Sequence, residues 1–578
     1  MAAYWVVGLS LAASIAIIRW WLLPKPYPYI PYNKQSASRI TGDIPDLVPV
    51  MKECNQVSHS MFTITTRKLG TPIAQLLFPN IRRPFVILED PREIEDILLR
   101  RGKEFDRAAT PSAIFQPMFP QATVAQFTTP KLKAQKRLWA DVTSAEFLHK
   151  ASAPNIYKAT IELLEYWRLK AATVYKDQAF NVQVDFQRAT LDAIWVATMG
   201  EEPGLIRYEM NNLQYQLEGK SQEELGKLPL PKSMFLRDEV RYIGDAVERN
   251  TNSPLPKWAA KLETFRPRYR QFRAVVTKEL TQAMTKAIYR FERLELHALE
   301  ADESDTCMMD FVLRRKVIEA RKAQKPMADL TKDQELLDEM FAILVGGHDS
   351  TANVLAWFTK FMEANPIVQN ELRLQLRTAF PGPQLPSVQE ILTTSIPYLD
   401  GVCEEGFRLA GVAKANFRQA TVDTQILGYP IPKGTEIFLN FHMDTTPAPV
   451  DDSKRTASYK TATAKHGDLL QSSAGRDLNR FEPRRWLALD PETGKETFNP
   501  NALPALAFGG GIRGCSGRKL AQMEFRLIVT LLILRLEFLE LPEEYKSMDA
   551  IERVFRAPTY IPNCSQEVHN VVTYAPTD

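Results

Sequence analysis

Ala2 to Leu23 forms an almost unbroken apolar run, with Arg19 its one charge. As a helix it would span about 33 Å, close to the roughly 30 Å hydrocarbon core of a bilayer. The run ends in Trp20-Trp21 and then Pro24-Lys25-Pro26, an interfacial ending rather than a small-residue cleavage site. Residues 1–23 are therefore expected to be a retained transmembrane anchor. Arg19, Lys25 and Lys34 lie past its centre, which places the main body on the cytosolic side. Pro24, Pro26, Pro28 and Pro31 predict a stiff, extended hinge over 24–35. Residues 36–578 then read as one α-rich body. Its clearest helix is Gln334–Ala364, with Leu336, Leu337, Met340, Ile343, Leu344, Leu355 and Phe358 on a broad apolar face and Pro366 as its stop. Ser516–Leu539 reads as a second, apolar nearly all round and so buried. Phe85–Leu88 reads as a strand. Ile426-Leu427, a Gly428-Tyr429-Pro430 turn and Ile431–Leu439 read as a hairpin. The polar stretch from Thr446 to Asp477 reads as a surface loop insertion without a function of its own.

Composition narrows the class. The chain has 578 residues, 45% of them hydrophobic, enough for a large core. With 72 basic against 69 acidic residues the net charge is +3, without the basic excess of a nucleic-acid binder. The five cysteines, Cys54, Cys307, Cys403, Cys515 and Cys564, are odd in number and contain no C-x-x-C pair. Neither a disulfide framework nor a zinc knuckle is expected.

One cysteine stands in a special setting, Phe508-Gly509-Gly510-Gly511-Ile512-Arg513-Gly514-Cys515-Ser516-Gly517. The glycines formally satisfy G-x-G-x-x-G, but a dinucleotide fold requires a strand before them, and Asn499–Pro504 is not one. Glycines also let a backbone approach a large flat cofactor. Cys515, placed at a helix start, would have free amides and the helix dipole favouring its thiolate. Arg513 has the fork that pairs with a carboxylate. The decapeptide resembles the haem-binding loop of cytochrome P-450 enzymes, F-x-x-G-x-R-x-C-x-G, with every fixed position filled. By that resemblance Cys515 is the axial iron ligand, Phe508 packs near its sulfur and Arg513 binds a haem propionate.

Three further segments follow in the family's order. Gly346-Gly347-His348-Asp349-Ser350-Thr351 is similar to its A/G-G-x-D/E-T-T/S segment. There Gly347 borders a widened, haem-facing groove, and Asp349 and Ser350 form an acid–alcohol pair that delivers protons; Ser350 stands where threonine is usual. Glu405-Gly406-Phe407-Arg408 is similar to E-x-x-R, and the segment Phe481–Trp486 supplies Arg485, so Glu405, Arg408 and Arg485 form a structural charge triad. Arg137 resembles a propionate-binding arginine, with Lys133 where tryptophan is usual; Arg418 resembles another. Phe115, Phe119, Val345, His348, Ala413 and Asn416 line the pocket by family position. Lys131, Lys133, Lys136, Arg518 and Lys519 are expected on a basic proximal face.

The resemblance implies a mainly α fold, a large helical body with a small β-rich lobe and an N-terminal anchor. It implies a haem-thiolate monooxygenase with haem b and an NADPH-dependent reductase as partner, monomeric and anchored in the endoplasmic reticulum. The substrate would be a small hydrophobic metabolite of secondary metabolism, and no nucleic acid is bound. The alternatives are a haem-thiolate isomerase or dehydratase acting on a peroxide, which often lacks the acid–alcohol pair, and a non-catalytic haem sensor.

Overall fold

The computed structural model describes residues 2–175, 179–220, 233–301 apart from 252 and 254, 305–445 apart from 325 and 327, 448–466, 477–552, 555–559 and 571–572. Cys564 lies outside the described residues. Eight helices frame the argument: α1 (Ala2–Leu22), α2 (Pro91–Leu99), α3 (Pro130–Leu138), α4 (Gln183–Met199), α5 (Gln334–Ala364), α6 (Pro397–Ala410), α7 (Ala457–His466) and α8 (Arg518–Arg535).

α5 has the boundaries its sequence predicts. Asp333 caps it, its Oδ1 accepting from the Glu335 and Leu336 amides at 3.0 and 3.3 Å, and Pro366 opens the next helix. Its second half, Thr351 to Glu363, is buried on every side. α8 starts two residues later than expected because Cys515-Ser516-Gly517 stay outside the helix. It ends at Arg535, and the chain continues extended with Leu536 and Phe538 buried.

The main sheet has the order β1-β2-β7-β4-β3, built from β1 (Ile73–Leu76), β2 (Phe85–Leu88), β3 (Phe105–Arg107), β4 (Ala415–Ala420) and β7 (Glu436–Asn440). β2 and β7 are parallel and the other pairs antiparallel. The expected hairpin differs in register. β5 (Thr424–Ile426) and β6 (Tyr429–Ile431) turn through Leu427-Gly428 alone, both at positive φ (50° and 80°). Pro432, with no amide proton, and Gly434 then break the expected long strand, and its second part joins the main sheet as β7.

α1 is exposed from Tyr4 to Trp21. The proline-rich segment after it is strapped to the body. Asn80 donates to the Trp21 and Leu22 carbonyls at 2.8 and 2.9 Å, and the Gln75 side chain binds Tyr27 and the Ile30 carbonyl.

The polar insertion is more than a solvated loop. It contains α7, and its Arg455 is buried, donating to Asp90 at 2.8 and 3.0 Å and stacking 4.6 Å over Tyr459. Thr456 and Ser458 donate to Asp96. Both acceptors belong to α2, Asp90 as its cap and Asp96 within it, and the far end of this helix packs against the Cys515 loop. Removing one partner of a buried, hydrogen-bonded pair strands the other charge, at about 3–5 kcal/mol. Arg455→Ala is expected to lose that much in denaturant unfolding, while alanine at exposed Lys454 changes stability by less than about 0.5 kcal/mol.

Candidate active site

The Cys515 loop is held by its own backbone. Cys515 N donates to Phe508 O at 2.9 Å and Gly514 N to Gly511 O at 3.0 Å. Gly511 has φ +63°, and a Cβ there would lie 2.4 Å from the Leu98 carbonyl oxygen, so only glycine fits against α2. The Phe508 ring meets Phe407 edge-on at 5.0 Å. Cys515 borders a cavity and is enclosed by the surrounding protein. Burial therefore raises the thiol's pKa, while the Gly517 and Arg518 amides and the charges of Lys136 and Arg518 pull it down. The amides act in the expected direction, but burial outweighs them.

That cavity, of about 2180 Å³, is lined by Cys515, Phe508 and Arg513 among others. Phe115, Phe119, Val345, His348, Ala413 and Asn416 all border it, as the sequence leads one to expect. The two glycines of α5 divide their work. Gly346 borders the cavity with nothing within 4 Å of where a Cβ would be. Gly347 does not border it: a Cβ there would sit 2.8 Å from Ile194 of α4, so this glycine admits a neighbouring helix rather than the cofactor. Nor is the helix widened. Ser350 Oγ donates to Gly346 O at 2.6 Å, Thr351 Oγ1 to Gly347 O at 2.9 Å, and the helical pattern runs through. Asp349 Oδ1 accepts from Gln187 Nε2 at 3.1 Å. His348 is held neutral by burial, and its Nδ1 has no partner among the described residues.

A cluster of cations lies beside the loop. Arg107 of β3 and Arg418 of β4 are register partners, and Arg513 adjoins both. Like charges directly opposite in a sheet repel. Burial, with the neighbouring arginines, pushes Arg107 down to about 9 and Arg418 to about 10. Asp106 is the carboxylate between them, 3.8 Å from Arg513 Nε. Arg107 Nε, Arg418 Nη2 and Arg513 Nε are buried without acceptors among the described residues. Such a cluster suits an anionic group that accepts from these guanidinium groups. Arg137, expected here, is exposed on the other face of α3. Its neighbour Lys136 takes the place, donating to Ile512 O and Gly514 O at 2.8 and 3.2 Å, and so leaves the exposed basic face expected of it. Arg107 escaped the sequence reading because a lone arginine in a three-residue strand carries no local signal.

Glu405, Arg408 and Arg485 are brought together in the interior. Arg408 binds Glu405 through two bonds of 2.8 Å, Arg485 Nε through one of 2.9 Å, and Trp486 Nε1 and the Glu482 amide add 2.9 Å bonds. Burial alone would raise the Glu405 pKa; Arg408 and Arg485 outweigh it, and the carboxyl stays below its ordinary range.

The family model of cytochrome P450 matches residues 51–443 and 477–560. The chain is a cytochrome P450. The unmatched gap, 444–476, is the insertion that carries Arg455. Cytochrome P450 monooxygenase TRI13 of Fusarium sporotrichioides is 29% identical over 95% of this chain and 97% of its own length. Cytochrome P450 monooxygenase xilC of Penicillium crustosum is 29% identical over 94% and 93%, and cytochrome P450 monooxygenase GME11363 of Pestalotiopsis microspora 29% over 94% and 95%. The helical body with small sheets is the family's fold, its cofactor is haem with a thiolate ligand, and the chain is an oxidoreductase of the monooxygenase class. The isomerase and sensor alternatives fall away.

A second carboxyl lies deeper in this cytochrome P450 and was not singled out from sequence. Glu524 of α8 is fully enclosed; Thr351 Oγ1 reaches its Oε2 at 3.4 Å, and Oε1 has no partner among the described residues. Burial pushes its pKa up to about 8. With the folded pKa above the unfolded one, folding takes up a proton in neutral solution. The stabilising effect is full below about 4.3 and lost as pH rises toward 8. Glu524→Gln is expected to flatten the fall of unfolding temperature across that window; an unchanged slope would place the titration elsewhere.

Proposed function

We propose that this cytochrome P450 hydroxylates a small, largely apolar metabolite of secondary metabolism, with electrons from an NADPH-dependent reductase and α1 anchoring it in the endoplasmic reticulum. The observation that carries the reading is that Cys515 borders one aromatic-lined cavity together with Asp349 and Ser350, beside arginines with buried N–H groups that have no acceptor among the described residues. Similarity to fungal cytochrome P450 monooxygenases over 94–95% of the chain supports the reaction class. α1 is the one helix among the described residues long and apolar enough to cross a membrane.

Cys515 would hold the iron, and Arg107, Arg418, Arg513 and Lys136 the propionates. Haem supplies reductive activation of dioxygen, with one oxygen atom passing to a C–H bond and the other leaving as water. Phe115, Phe119 and Val345 exclude water and hold the apolar substrate. Asp349 takes up protons and passes them toward Ser350. The Ser350 oxygen can accept a proton as it stands; to pass its own proton on into the cavity, the hydroxyl must release Gly346 O by turning about χ1.

With reductase, NADPH and labelled dioxygen, one labelled oxygen should enter the product; label from water alone would overturn the reading. Cys515→His should abolish the thiolate-type absorbance band of the reduced carbon monoxide complex. Asp349→Asn is expected to slow turnover, within the roughly 10²–10⁴-fold worth of a positioned acid. Ser350→Ala should divert NADPH consumption to hydrogen peroxide, and Ser350→Thr should be tolerated. Haem retention in dilution should fall in Arg107→Ala and stay unchanged in Arg137→Ala; equal loss in both would return the propionate to Arg137.

A further inference from the structure

α4 presents one stripe of side chains to α5. Gln183, Gln187, Thr190 and Ile194 recur at intervals of four, three and four residues, and so share a helix face. Their partners on α5 run in reverse order. Gln183 Nε2 donates to Asn353 Oδ1, Gln187 Nε2 to Asp349 Oδ1 at 3.1 Å and Thr190 Oγ1 to His348 O at 2.9 Å, and Ile194 packs on Gly347. The two helices are thus locked in antiparallel register along the stretch that carries the acid. Gln183, Gln187, Asp349 and Asn353 also border the cavity. Gln183 Oε1 is buried there without a partner among the described residues.

The partner of Asp349 is a neutral amide. A cation at hydrogen-bond distance would hold the carboxylate ionised and oppose its protonation, whereas an amide fixes its orientation without adding charge. The nearest cation on α4, Arg188, is turned to Asp185 and Glu209, at 3.4 and 2.8 Å. His348, the titratable neighbour on α5, is held neutral by burial. The donor bond takes Oδ1; Oδ2 accepts from no group among the described residues.

We propose that Gln187 is a positioning residue for proton delivery: it fixes the Asp349 carboxyl from α4 while leaving one oxygen free to exchange protons with the cavity. This rests on the reading of Asp349 as the proton-delivering acid. Gln187→Met keeps the side-chain length and removes the donor. Product formed per NADPH should fall about tenfold, a part of what a positioned acid contributes, with a larger solvent isotope effect and more peroxide. Unfolding temperature and the thiolate-type carbon monoxide band should not change. Gln187→Glu sets a second carboxylate against Asp349, which raises the acid's pKa. The pH profile of coupling should then move upward by about one unit. An acid–base infrared difference spectrum gives a readout without turnover: the Asp349 carboxyl band, assigned by its loss in Asp349→Asn, should shift in Gln187→Met. Unchanged coupling, isotope effect and carboxyl band in Gln187→Met, alongside impaired Asp349→Asn, would overturn the role of Gln187 and leave that of Asp349 standing. Normal coupling in Asp349→Asn would overturn both.

Discussion

The Glu405 carboxylate is the fixed point on which the thiol end of the molecule depends. It is fully buried and bound by Arg408, Arg485, Trp486 and the Glu482 amide. Arg408 and Arg485 extend the network to the carbonyls of Met443, Asp477 and Arg480. One ionised group thereby joins α6, the end of β7 and the segment leading to the Cys515 loop. Ionisation in the interior is tolerable because two guanidinium groups surround the carboxylate, and losing either would leave a charge stranded. A cysteine ligand must meet its metal within a few tenths of an ångström, and a glycine-rich loop has no stiffness of its own.

The loop is braced a second time by α2, whose Leu98 and Leu99 lie against Gly510 and Gly511. α2 in turn is gripped from outside by Arg455 of the insertion, which the family model passes over. A segment outside the family model therefore bears, through one helix, on the Cys515 loop. Its charge is buried, which marks it as part of the folded body.

On the opposite wall, α5 is shaped by what it lacks. Gly346 leaves space toward the cavity and Gly347 lets α4 approach. The same contact brings Gln187 to Asp349, so close packing and orientation of the acid have one cause. A neutral amide and a neutral histidine lie beside the acid, while Arg107, Arg418 and Arg513, with Asp106 among them, gather beside the Cys515 loop, where an anionic cofactor edge would accept from them.

The sequence by itself determined the elements and the motif chemistry. Apolar periodicity fixed α5 to the residue, strand composition fixed β2, and the glycine loop named Cys515, because each of these signals is local. Helix α8 and the β5–β6 hairpin were legible only approximately, since Gly517 and Pro432 act through backbone geometry that composition blurs. Tertiary structure alone decided which of two adjacent cations, Lys136 or Arg137, turns inward, since successive residues on a helix point about 100° apart. It decided that Arg107 opposes Arg418, which depends on strand register, and that Gly347 serves packing. It also decided that Gln187 meets Asp349 across 162 residues of chain. A charged or amide side chain has the same local sequence signature whether it faces water or a partner, and only the packed fold chooses between them.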